Sequence, residues 1–154
     1  MAATRTTIIR NTNLETIIKY EGSSADTAAT IDISTLTAST QARNADTPTV
    51  NIVKFIASGL LTSGVTVVRN GVTILAAAPE NGILLDLTQN SISDNIQNTQ
   101  NIVITTTGAA STGYLVLRKL AGWVTKVEDA TYGAYDDATR VGASTTMSGS
   151  PDKV

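Results

Sequence analysis

The stretch VTVVRNGVTIL, residues 65–75, sets Asn70-Gly71 between two runs of alternating apolar and polar residues. A two-residue type I′ turn needs positive φ at both central positions, which Asn and Gly tolerate best, so the pair is a strong hairpin signal. Period-two alternation puts one face of each run on a core and the other toward water. Antiparallel strands are therefore the expected building unit.

The rest of the chain reads the same way. TRTTIIR (4–10) and ETIIKY (15–20) are Thr/Ile-rich and flank the turn residues NTN. TIDI (30–33), VNIVKFIA (50–57), ILLDL (83–87), IVITTT (102–107) and YLVLRKLAGW (114–123) follow, each bounded by turn residues. In 50–57 the set Asn51, Val53, Phe55 and Ala57 looks like the core face. About nine short strands at this spacing predict a single antiparallel β-sandwich, jelly-roll or immunoglobulin-like. YLVLRKLAGW could also read as a helix, but its glycines and β-rich context favour a strand. STLTASTQARNADTPT (34–49) is small and polar, and is expected to lie on the surface or on a neighbour. TQNSISDNIQNTQN (88–101) reads as a loop or as one helical turn capped by Ser91 or Ser93.

Composition narrows the function. The 154 residues suit one domain able to bury a real core. Cysteine is absent, which removes disulfides, thiol catalysis and zinc–thiolate sites. Histidine is absent too, and with it the commonest general base and metal ligand. No catalysis and no cofactor are expected. No run approaches the roughly 18–20 apolar residues that span a bilayer, and MAATRTTIIRNTN has no apolar signal core. Net charge is -2, so general nucleic-acid binding is not expected.

The remaining motifs favour turn chemistry over sites. SDNIQNTQN and YDDATR lack the alternating ligands and closing glutamate of a calcium loop. Glu80 with Asp86, or Asp26 with Asp32, have no spacing that argues for acid–base pairing. Arg118-Lys119 with Trp123 could form a stacking platform, or the tryptophan could close the end of the sheets.

Charge is uneven along the chain. Residues 1–126 carry nine Lys/Arg and eight Asp/Glu, whereas 127–154 carry two and five. This divides the chain into a β body, 1–126, and an extended acidic C-terminal arm, 127–154. The arm has too little aliphatic bulk to offset its ordering entropy alone. Its Tyr132 and Tyr135 are rigid aromatics that either dock into a partner or fold back on the body. Asp136, Asp137 and Arg140 stand beside them, and Arg5 and Arg43 supply charge in the N-terminal strand and the 34–49 segment. These seven are the candidate partner-binding residues.

TIIRNTNLETIIKYEG, TIDISTLT, VTVVRNGVTIL and YLVLRKLAGW together resemble the small β-sandwich structural proteins of tailed bacteriophages, especially those of marine and cyanobacterial hosts. Arg118, Lys119, Gly122 and Trp123 carry the late-strand Arg-Lys-x-x-Gly-aromatic pattern of that group. The resemblance covers about residues 4–126. It implies a non-enzymatic virion component, made in the host cytoplasm. The expected role is a capsid decoration (cement) protein bound to the major capsid protein or other virion subunits and homo-oligomeric. A neck, tail or fibre component, or a carbohydrate- or receptor-binding module, is the alternative. No nucleic-acid or membrane partner is expected.

Overall fold

The computed structural model describes residues 4–23, 27–44, 47–88, 92, 94 and 96–125. Two compact units are distinguished, Met1–Ala38 with Arg43–Trp123, and Ser39–Ala42 with Val124–Val154. Eleven strands run through the described residues: β1 Arg5–Asn11, β2 Glu15–Gly22, β3 Thr27–Ile31, β4 Gln41–Arg43, β5 Val50–Gly59, β6 Gly64–Arg69, β7 Val72–Ala77, β8 Ile83–Asp86, β9 Ile102–Thr107, β10 Ser111–Lys119 and β11 Trp123–Thr125. Strands β1-β2-β10-β5-β8 form one sheet and β3-β9-β6-β7 another, while β4 and β11 pair as a short ribbon. Each ladder in the two larger sheets is antiparallel. The all-β expectation holds, and YLVLRKLAGW enters β10 as a strand.

The hairpin behaves as its sequence demands. Asn70 and Gly71 take φ of 49° and 76°, and Arg69 pairs directly with Val72. Positive φ at both positions is the type I′ geometry whose twist matches the flanking strands.

Both sheets turn one face inward onto a common apolar cluster. Ile18 and Tyr20 of β2, Phe55 of β5 and Leu115 of β10 come from the first sheet; Val67 of β6 and Ile104 of β9 come from the second. The Tyr20 and Phe55 rings stack, with centroids 6.0 Å apart and planes 5° from parallel. Fully burying side chains of this size contributes about 1.5–3 kcal/mol each. Gly113 sits in β10 beneath the Tyr20 ring; a Cβ there would lie 2.6 Å from Tyr20 Cε1 and 2.2 Å from the Ile56 carbonyl oxygen. The glycine makes room for the aromatic stack.

Two expectations are corrected. In β5, Val50 and Ile52 are buried along with Val53, Phe55 and Ala57. The β5–β10 register slips between Val116 and Leu117, whose partners are Lys54 and Ile52, so Val53 is an extra residue in the ladder. Such a bulge switches which alternate set faces the core. The 34–49 segment, expected on the surface or on a neighbour, buries Leu36 in the chain's own core at 1 % exposure and contains β4. Asp32 Oδ1 accepts from the Ser34 N–H and caps the 3-10 turn Ile33–Thr35 that delivers Leu36 to the core.

Candidate functional site

Of the carboxylates considered for catalysis or cation binding, Asp32, Glu80, Asp86 and Asp94 each serve a turn, while Asp26, Asp136 and Asp137 lie outside the described residues. Asp32 accepts from the backbone and hydroxyl of Ser34, and those bonds hold its carboxyl below the usual range, with Arg43 adding a smaller pull. Asp86 Oδ1 accepts from the Thr88 N–H, and Asp94 Oδ1 from the N–H groups of Ile96 and Gln97. Glu80 Oε2 accepts from the Thr62 N–H at 3.3 Å, tying the turn after β7 to the turn after β5. Acceptors engaged this way shape loops. Among the described residues, no three His, Cys, Asp or Glu side chains converge as metal ligands.

Two buried cations fasten the body. Alternation along β6 places Arg69 inward beside Val65 and Val67, at 0 % exposure. Its Nη1 donates to the Val50 carbonyl at 2.8 Å, Nη2 to the Asn98 and Gln100 carbonyls at 3.1 and 2.9 Å, and Nε to Gln100 at 3.0 Å. Asp94 Oδ2 stands 3.9 Å from Nη1. Burial lowers the guanidinium pKa, and the Asp94 carboxylate opposes that shift. Lys119, at the end of β10, donates from Nζ to Asn11 Oδ1 at 2.7 Å and to the Thr12 carbonyl at 2.8 Å. Nζ also sits 4.9 Å from the centroid of the Trp123 ring. Burial brings the Lys119 ammonium down to about 8.

Trp123 thus lies beneath Lys119, half-buried against the core, with Nε1 3.5 Å from the Thr49 carbonyl. It packs partly against the core, with Lys119 Nζ over one face of its ring.

The outer face of the five-stranded sheet is the main surface that chemistry marks. Register sets Leu84, Ile56, Tyr114, Lys19 and Thr7 side by side across β8, β5, β10, β2 and β1. Leu84 is 69 % exposed, and Ile56 and Tyr114 are exposed beside it. The next row is Asp86, Lys54, Val116, Ile17 and Arg10. Ion pairs rim this apolar row: Lys54 with Asp86 at 4.0 Å, Lys19 with Glu21 at 3.6 Å, and Arg5 with Glu21 at 3.2 Å. Exposed pairs of this kind are worth about 0–1 kcal/mol each, so they set a charge pattern more than stability. An apolar centre with a charged rim is the anatomy of a protein-binding patch.

Of the candidate residues from the sequence, Tyr132, Tyr135, Asp136, Asp137 and Arg140 lie outside the described residues, as does the whole of 127–154. Arg5 joins the rim of the patch through Glu21. Arg43 is exposed on β4, where its charge reaches Asp32. Arg5 and Arg43 therefore act on different carboxylates. Leu84, Ile56 and Tyr114 were not singled out by sequence, although an apolar residue at the outward positions 56 and 114 was the available signal.

No protein-family model matches this chain, and neither a curated protein nor a solved structure matches it.

Proposed function

We propose that this chain is a non-enzymatic structural subunit of a tailed-phage virion, most simply a capsid decoration protein that adds buried contacts between capsid subunits. One observation carries the binding role: the registered row Leu84, Ile56 and Tyr114 is solvent-facing on a five-stranded sheet and rimmed by opposite charges. The resemblance of segments 4–126 to small phage β-proteins supports the choice of partner. The turn duties of Asp32, Glu80, Asp86 and Asp94 fit a protein that works by surface complementarity. A sugar-binding reading built on Trp123 draws no support from a ring covered by Lys119.

The test is quantitative proteomics of density-purified particles of the phage that encodes the chain. Retention in intact heads, at a fixed ratio to the major capsid protein, is the expected result. Recovery only in the soluble lysate overturns the proposal, and co-purification with tails alone moves the subunit to the tail.

A further inference from the structure

The turn joining β5 to β6 is built against the usual residue preference. Leu60, Leu61, Thr62 and Ser63 form a tight turn in which the Ser63 N–H donates to the Leu60 carbonyl at 3.0 Å. Thr62, at the third position, has φ of 70°. A β-branched residue at positive φ is a genuine outlier, and such strain persists only where the surroundings over-determine it. Here the Leu60 N–H donates to Ala110 at 3.0 Å, and the Thr62 N–H donates to Glu80. The loop at Gly108 also presses so closely on the Thr62 carbonyl that a Cβ would lie 2.1 Å from it. The turn is therefore rigid. It holds Leu60 at 64 % and Leu61 at 73 % exposure, with the Glu80 carboxylate beside them.

At the other end of β5, beside the Val53 bulge, lies a groove of about 210 Å3, lined among the described residues by apolar Ile52, Val53, Leu87, Ile92 and Leu120 with Asn51 and Thr88. The Leu87 N–H donates to the Val53 carbonyl and the Ile92 N–H to the Leu87 carbonyl, at 3.0 and 2.8 Å. Small-molecule sites usually occupy about 300–1,000 Å3, so this groove is of a size for a side chain or two. Arg118 stands on its rim.

We infer that the Leu60–Leu61 turn of one copy of this chain inserts into the Val53 groove of a second copy, with Glu80 of the first facing Arg118 of the next. Knob and groove match in apolar character and in opposite charge. They are separated along β5 by roughly 25 Å at about 3.3 Å per residue, so a turn cannot reach its own groove. Contact between two different patches either closes reciprocally about a two-fold axis, each knob in the other copy's groove, or propagates head to tail into a ring or a filament. Preorganisation matters because a knob already fixed by its neighbours loses little freedom on docking. This inference goes beyond the virion reading and does not rest on it.

The experiment is light-scattering mass measurement of the full chain after size exclusion across a concentration series, with circular dichroism to verify folding. Wild type is expected to show species at multiples of 16.0 kDa. Leu61→Asp, an exposed turn position, is expected to reduce these to the single-chain mass. Arg118→Glu is expected to weaken assembly about tenfold or more, whereas Arg118→Lys, which keeps the positive charge facing Glu80, is expected to leave it largely intact. Leu84→Asp, on the sheet face, is expected to leave assembly unchanged. A wild-type chain that stays at single-chain mass up to about 1 mM, the weak end of specific association, overturns the inference. Assembly that survives Leu61→Asp, or that is lost instead with Leu84→Asp, also overturns it.

Discussion

The Arg69 guanidinium donates 2.8 Å to the main-chain carbonyl of Val50, joining the end of β6 in one sheet to the start of β5 in the other. The same head group holds the carbonyls of Asn98 and Gln100, ahead of β9. A charge with no exposure is tolerated only when its donors are matched, and four hydrogen bonds with a nearby carboxylate supply that match. The three segments are thereby fixed relative to one another within their unit.

Replacing Arg69 with Met is expected to lower unfolding free energy by about 3–5 kcal/mol. It keeps an aliphatic stem but takes the guanidinium from the Val50 and Gln100 carbonyls and from Asp94 Oδ2, while the Asn98 carbonyl keeps only the Val50 N–H. Arg69→Lys is expected to fall between, because an ammonium cannot span the same acceptors. Urea denaturation checks this, and a loss below about 1 kcal/mol for Met would mean the carbonyls find water instead.

Lys119 gives stability an alkaline slope. Its folded value is about 8 against an ordinary 10.5, so between those pH values the unfolded chain holds a proton that the folded chain has released. Unfolding then takes up a proton, and stability rises with pH across that window. The urea midpoint is expected to climb between about pH 8 and pH 10, and Lys119→Met is expected to flatten the climb. A midpoint that falls over this range in wild type would contradict the burial effect.

Gly113→Ala tests the aromatic stack. The new methyl group must displace Tyr20 or the β5 backbone at Ile56. Overpacking of this kind costs about 1–3 kcal/mol, although alanine is the better strand residue in the abstract. Thermal unfolding followed by near-ultraviolet circular dichroism reads both the loss and the disturbance of Tyr20.

The outer patch separates binding from folding. Leu84→Lys, at 69 % exposure, is expected to change stability by no more than about 0.5 kcal/mol, and Ile56→Glu with Leu84→Lys, which sets opposite charges on directly paired positions, is expected to cost no more than about 1 kcal/mol. Retention in purified particles is expected to fall sharply for the pair. Unchanged retention would place the particle contact elsewhere on the chain.

Much of the fold was legible because strands declare themselves locally. Asn70-Gly71 fixed its own turn, and the alternation flanking it announced two paired strands. What failed was non-local. Nothing near Val53 in sequence announces that β10 will pair with β5 across a bulge, and so Val53, Phe55 and Ala57 were expected inside correctly, whereas Asn51 was expected in the place that Val50 and Ile52 take. Leu36, isolated in a polar stretch, gave no periodic signal, and only the Asp32 cap shows how it reaches the core. The candidate site was least legible. Single exposed apolar residues such as Leu84, Ile56 and Tyr114 become a patch only when register brings them into one row.

The sequence by itself determined the material of this protein: antiparallel strands, tight turns, and no histidine or cysteine chemistry. Those are properties of φ, side-chain period and residue type, which act within a few positions. Tertiary structure alone decided the strand order and the inward turn of Arg69. It also decided the bulge at Val53 and the surfaces that result, because each depends on partners tens of residues away. Whether an arginine at the end of a strand is a solvated charge or a buried clamp is settled by which carbonyls the fold brings to it.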